Sequence, residues 1–187
     1  MVPTKSATAM LIMDVQTMLL NSLPSPDSLK KTLAEAVAEA RKRQIPVIYV
    51  VVGFRPGLPE IGGNNKSFAG RKDFYATLDM DKWMEIDPSV KPEPGEVIVV
   101  KKRYSAFAGS DLEMILRSLE IKHLILAGIV TGGVVLSTLR EASDKDFALT
   151  VLSDCCADRD EEVHRVLITK LFPRQADVLT FEEWKNS

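Results

Sequence analysis

A chain of 187 residues with 45% hydrophobic and 27% charged side chains has the size and mix of one globular domain, which excludes collagen-like, disulfide-framed and wholly disordered classes. Its 24 basic and 26 acidic side chains nearly cancel, at a net charge of -2, so no overall positive field draws the chain onto nucleic acid or an anionic membrane. A small molecule is the expected partner, with no nucleic acid and no membrane.

The longest uncharged stretch, 124–139, is shorter than a bilayer span and is broken by Thr131-Gly132-Gly133. Lys5 and the apolar run 7–13 imitate a short secretion signal, but Asp14 and Gln16 interrupt it and no cleavage pattern follows, so a mature cytoplasmic chain is expected. The only cysteines, Cys155 and Cys156, are adjacent; they close no useful loop, have no metal-binding spacing and fit a reducing compartment.

Apolar runs of strand length alternate with segments of helical period, the pattern of βα units around a parallel sheet. The first run, 9–13, leads into Asp14. After the Pro24-Ser25-Pro26 turn, a helix over 28–43 places Leu29, Leu33, Val37 and Ala40 at spacings of three and four. The run 45–52 is rich in β-branched residues, opens with Pro46 and ends at Gly53, as a strand buried on both faces would. A long irregular stretch follows from Gly53 to about Glu96; loops of this length in a compact domain are usually functional, and this one is expected to wall a pocket.

The third strand, 97–100, runs into Lys101, Lys102, Arg103 and Tyr104, and a helix over 110–119 has Asp111 placed to support its N-terminus. The fourth strand, 124–129, leads through Thr131-Gly132-Gly133 into a helix over 134–142. The fifth, 148–153, ends at Asp154. A helix over 159–170, a last strand over 176–179 and a helical turn over 181–184 complete the order. An open parallel sheet holds its ligand outside the carboxyl ends of its strands, where Asp14, Gly53, Lys101, Thr131 and Asp154 all fall.

Each of these positions has two readings. Asp14 suits acid-base work or the holding of a cation, and equally a helix cap or loop bond. Lys101 can pair with it and stabilise developing negative charge, while Lys101-Lys102-Arg103 also reads as a solvated basic turn. The small residues of Thr131-Gly132-Gly133 let backbone N–H groups approach a ligand as an oxyanion hole, or make a tight turn with Thr131 as N-cap. The three-glycine dinucleotide spacing and the phosphate loop are both missing. Phe54, Arg55, Trp83, Tyr104 and Phe107 can line an apolar pocket with one cation, or be core and solvated charge.

Together, the segments Leu11-Ile12-Met13-Asp14-Val15-Gln16, Lys101-Lys102-Arg103-Tyr104-Ser105-Ala106-Phe107, Gly128-Ile129-Val130-Thr131-Gly132-Gly133-Val134-Val135-Leu136-Ser137-Thr138 and Asp154-Cys155-Cys156-Ala157-Asp158 resemble the isochorismatase-like (cysteine hydrolase) family over nearly the whole chain. The resemblance implies a three-layer α/β/α sandwich with a six-stranded parallel, Rossmann-like sheet, a non-proline cis peptide just before Thr131, and a homo-oligomer. It also implies an Asp, Lys, Cys triad, of which Asp14 and Lys101 are the first two members. The usual position of the nucleophilic cysteine is occupied by Val134, which has no atom able to attack a carbonyl and closes the thioester route to amide cleavage.

Cys156 falls where the family often carries a cysteine without catalytic duty. The metal-binding branch resembles an Asp-x-His plus His cluster that this chain lacks, since His123 precedes the fourth strand and His164 falls on a helix, so no metal and no cofactor are expected. The true isochorismatases resemble the chain in fold and hydrolyse a vinyl ether without a cysteine, although they usually carry glycine at the position of Val134.

The expected function is therefore hydrolysis of a small, carboxylated or cyclic metabolite by Asp14 and Lys101. The expected oxyanion- and substrate-binding set is Thr131, Gly132, Gly133, Val134, Gln16, Phe54, Arg55, Trp83, Tyr104 and Phe107. The alternative is a catalytically silent ligand-binding or assembly protein on the same fold.

Overall fold

The computed structural model describes residues 7–187; Lys5, part of the signal-like start, lies outside them. Six strands form one sheet: β1 (Thr8–Met13), β2 (Val47–Val52), β3 (Val97–Lys101), β4 (His123–Ile129), β5 (Ala148–Ala157) and β6 (Asp177–Leu179). Their order is β3-β2-β1-β4-β5-β6 and every pairing is parallel. The crossovers run one way from β1 through β3 and the other way from β4 onward, so the β1/β4 junction is the switch point at which such sheets open a crevice.

Alternation within each strand feeds two separate cores, because successive side chains point to opposite faces. Ala9, Leu11 and Met13 of β1 pack with Leu124 and Leu126 of β4 on one face. Met10 and Ile12 pack with Ile125, Ala127 and Ile129 on the other. The second face is covered by α2 (Pro26–Lys42), which buries Leu29, Leu33, Ala36, Val37 and Ala40, and by α9 (Phe181–Lys185), which buries Phe181 and Trp184. The first is covered by α6 (Leu112–Ser118), by α7 (Leu136–Asp144) and by the segment carrying Leu167 and Phe172. No helix among the described residues is long and apolar enough to cross a membrane.

The stretch after Gly53 differs from the irregular loop read in the sequence. It folds into short helices α3 (Lys66–Ala69), α4 (Lys72–Ala76) and α5 (Met80–Trp83) around a third apolar cluster of Val52, Phe54, Leu58, Ile61, Phe68, Tyr75 and Trp83. Helices this short have no sustained period and are invisible to pattern reading.

Several other boundaries move. α2 starts at Pro26, which is compatible with a first helical turn. Asp111 occupies the N-cap of α6 without a side-chain cap bond. β5 runs four residues past 153: its register on β4 jumps between Leu126 and Gly128, and the chain continues as strand through Cys155 and Cys156. Asp154 therefore lies within β5 rather than at its end, and its Oδ1 accepts the Phe181 N–H at 2.7 Å. The segment expected as one helix over 159–170 is α8 (Glu161–Val166) followed by a π-helical turn at Leu167–Leu171.

Candidate active site

At the switch point the chain leaves β1 through Asp14, whose φ of 54° is the left-handed conformation rarely adopted outside glycine, asparagine and aspartate. Two strands away, Lys101 is the last residue of β3 and is 1% exposed. Its ammonium donates to Asp14 Oδ2 at 2.9 Å and to the Arg103 carbonyl at 2.9 Å. The other carboxyl oxygen, Asp14 Oδ1, is buried without a protein hydrogen-bond partner. Burial pushes the Asp14 carboxyl above its ordinary value, while the neighbouring Lys101 charge and hydrogen bond pull it down less strongly.

Asp14 and Lys101 line a cavity of about 170 Å³. Val52, Trp83, Phe68, Tyr75, Ile129 and Val134 make its apolar walls, and Ser67, Arg71, Tyr104 and Arg159 add polar groups. Arg71 and Arg159 are exposed, so the cavity combines a buried ion pair with two solvent-facing cations, an arrangement suited to an anionic ligand.

The turn after β4 supplies one wall. The chain passes a cis peptide between Ile129 and Val130, one bond before the position adjoining Thr131, then forms a π-helical turn over Thr131–Val135. Gly133 lies close to Tyr104: a Cβ there would stand 3.6 Å from the Tyr104 ring and 2.9 Å from Val130 Cγ2. Of the two readings of Thr131, the N-cap is not the one seen. That position belongs to Val130, and Thr131 is fully buried with Oγ1 2.8 Å from His164 Nδ1. The Gly132 N–H donates to Asp158 Oδ2 at 2.6 Å and the Gly133 N–H to the Val130 carbonyl at 3.0 Å. Both amides thus have partners within the protein.

Of the expected site residues, Asp14, Lys101, Trp83, Tyr104, Gly133 and Val134 come together at the cavity. Gln16 lies behind it: its Oε1 accepts the Val52 N–H at 2.7 Å and its Nε2 donates to the Trp83 carbonyl at 2.5 Å, tying α5 to the end of β2. Trp83 Nε1 donates to the Val52 carbonyl at 2.8 Å, so the ring is fixed from the same strand end. Phe54 packs in the third cluster and, with Arg55, borders a separate surface hollow; Arg55 is paired with Glu60 at 2.7 Å. Phe107 belongs to the first core, its ring stacked on Phe147 at 6.2 Å between centroids.

The stretch expected to wall a pocket does so through Ser67, Phe68, Arg71 and Tyr75; of these, Ser67, Arg71 and Tyr75 are not singled out by the sequence, because they sit on or beside the short α3 and α4, and neither is Arg159, which reads as the start of a helix. His164, which the sequence shows only as a helix residue outside any metal-binding spacing, lies beside the wall through its bond to Thr131. His123 is remote, at the opposite end of β4, between the Thr8 and Thr150 hydroxyls at 3.2 and 2.9 Å. Cys155 and Cys156 are buried away from the cavity. Among the described residues no group of three or more His, Cys, Asp or Glu side chains is placed to hold a metal ion.

The site's geometry can be set beside known proteins. The chain is 31% identical over 139 residues to the N-carbamoylsarcosine amidase of an Arthrobacter species, covering 74% of this chain and 53% of that one. It is 27% identical over 183 residues to the isochorismatase family protein YecD of Escherichia coli O157:H7, covering 96% and 95%. It spans about half to two thirds of the length of the curated amidase and amidohydrolase relatives it matches. A solved structure of an isochorismatase family protein from Burkholderia thailandensis superimposes with a TM-score of 0.84 at 25% identity, over 96% of this chain and 94% of that one. The profile of the Isochorismatase domain matches residues 8–183, and with it the sheet order and the ion pair at its switch point find their setting: the chain belongs to the isochorismatase family.

Proposed function

We propose that the protein is a hydrolase of small carboxylated metabolites, in which Asp14 serves as general acid beside Lys101 and no cysteine takes part. The observation that carries this reading is the Asp14 carboxyl, with one oxygen on Lys101 and the other buried and unpartnered beside a cavity walled by Val134. Burial moves the Asp14 carboxyl above its ordinary value, the direction that a general acid requires. The valine wall offers no nucleophile, so the bond must be opened by protonation and water rather than through a thioester.

A carboxylated vinyl ether fits these groups. Asp14 transfers its proton to the vinyl carbon, the double-bond electrons forming the new C–H bond and leaving an oxocarbenium ion. Water adds to that ion and returns a proton to the Asp14 carboxylate. The resulting hemiketal then collapses to a carbonyl compound and a free alcohol. Lys101 stabilises the carboxylate that exists between the two proton transfers. Arg71 and Arg159 supply charge for a substrate carboxylate.

Hydrolysis of a panel containing isochorismate, other vinyl ethers and small primary amides tests the reading, with the native chain compared against Asp14→Ala and Lys101→Ala. Turnover of a vinyl ether that falls at least about a hundredfold in Asp14→Ala is the expected result. Amide turnover would reveal a different nucleophile and overturn the assignment. Silence across the panel would favour a ligand-binding protein on this scaffold.

A further inference from the structure

The π-helical turn that carries Gly133 and Val134 has no cap of its own: Val130, at its N-cap position, makes no side-chain bond to it. Its first two residues are gripped instead from the segment after β5. Asp158 Oδ2 accepts the Gly132 N–H at 2.6 Å, and His164 bonds the buried Thr131 hydroxyl at 2.8 Å. Gly132 makes the first contact possible, because a Cβ there would stand 3.0 Å from Val163 Cγ1 and 3.2 Å from Asp158 Oδ2.

The gripping segment is otherwise loosely held. α8 contains no buried residue, and Val163 and Val166 are each 39% exposed. Its start is ordered by Asp160, whose Oδ1 accepts the Glu162 and Val163 N–H groups at 3.0 and 3.1 Å. Between the two aspartates stands Arg159, which lines the cavity and donates to Ser22 Oγ at 2.7 Å.

We propose that Asp158 and His164 are positioning residues: they latch the Thr131–Val135 turn to the Arg159 segment and so set the Val134 wall and the Arg159 cation as one unit. Asp158 does this through a charged acceptor on a backbone donor, the stronger kind of hydrogen bond, and its loss leaves the Gly132 amide without that partner. His164 acts through Thr131. Burial holds its imidazole below the ordinary value, with Asp158 opposing, which suits a neutral ring sharing a hydrogen bond with a hydroxyl. The assignment rests on the active-site reading above only in calling the gripped wall part of a reaction site.

The test uses a reporter that needs no turnover. In a Val134→Cys background, the rate of alkylation by iodoacetamide reads where the thiol stands relative to the cavity and its charges. Asp158→Ala and His164→Gln are expected to change that rate by about tenfold, and Asp158→Ala to speed hydrogen exchange of the Gly132 amide by at least about tenfold, consistent with loss of one charged hydrogen bond. Asp158→Asn, whose amide oxygen can accept the same N–H, is expected to restore both within about twofold. Equal alkylation rates with and without Asp158→Ala, or equal defects in the Ala and Asn variants, would overturn the proposal. A vinyl ether found in the panel adds a second readout: KM should rise about tenfold in Asp158→Ala, with kcat changed less than KM. An inactive native chain would sink the hydrolase reading while leaving the alkylation and exchange results to decide the latch.

Discussion

Two opposing effects act on the Asp14 carboxyl, and burial outweighs the attraction of the Lys101 charge. The consequence has a sign. A carboxyl whose folded pKa lies above its ordinary 3.8 binds its proton more tightly in the native state, so the stability it contributes is fully present below that value and declines as pH rises through the folded pKa. Asp14→Asn lacks this decline, and Lys101→Met, having lost the attraction that pulls the pKa down, extends it to higher pH. Urea midpoints of the three proteins from about pH 4 to 9 should show the wild type losing ground to Asp14→Asn as pH rises, by about 1.4 kcal/mol per unit of pKa elevation. A gap that stays constant with pH would mean that Asp14 ionises normally. If Asp14 is the general acid proposed above, turnover falls as pH rises through the same folded pKa.

Strands and the longer helices were readable as elements because their periods differ and each feeds one face of the sheet. α3 to α5 were not, since each is four or five residues long and is held by tertiary contacts such as the Gln16 clamp rather than by its own pattern. That is also why Arg71 and Tyr75 do not stand out in the sequence from the rest of the stretch. Where β1 and β4 meet, the constraint is sterically absolute and concerns one residue. Gly128 has φ of +143°, and a Cβ there would lie 2.1 Å from the Met13 carbonyl oxygen, next to Asp14. Neither chain can yield, because Met13 is paired to both Val50 and Gly128 in the sheet. Gly128→Ala is expected to cost about 2–6 kcal/mol, from backbone strain of about 1–3 kcal/mol and overpacking of about 1–3 kcal/mol. Urea denaturation measures this directly, and a cost below about 1 kcal/mol would show that β1 and β4 can separate locally.

At the scale of the whole molecule the sheet separates its two thiols from the cavity. The register jump in β5 turns Cys155 into the core under α2 and Cys156 into the core on the opposite face. Neither lines the cavity. Burial pushes both thiols upward, Cys156 to about 12, away from the thiolate that a nucleophile requires. The βα alternation makes the parallel sheet readable and its carboxyl ends the expected place of a ligand; the bulge that aims these side chains leaves no mark in the sequence, where the fifth strand reads as ending at Asp154, before Cys155-Cys156. If catalysis is cysteine-free, it follows that the native protein resists thiol alkylation and takes up label on two thiols only when unfolded. Cys155→Ala and Cys156→Ala should then each keep vinyl ether turnover within about threefold, at a stability cost of about 1–2 kcal/mol for the lost packing. Loss of turnover in either variant at temperatures where it remains folded would restore a thiol to the mechanism and displace Asp14 from its role as sole initiator of bond cleavage.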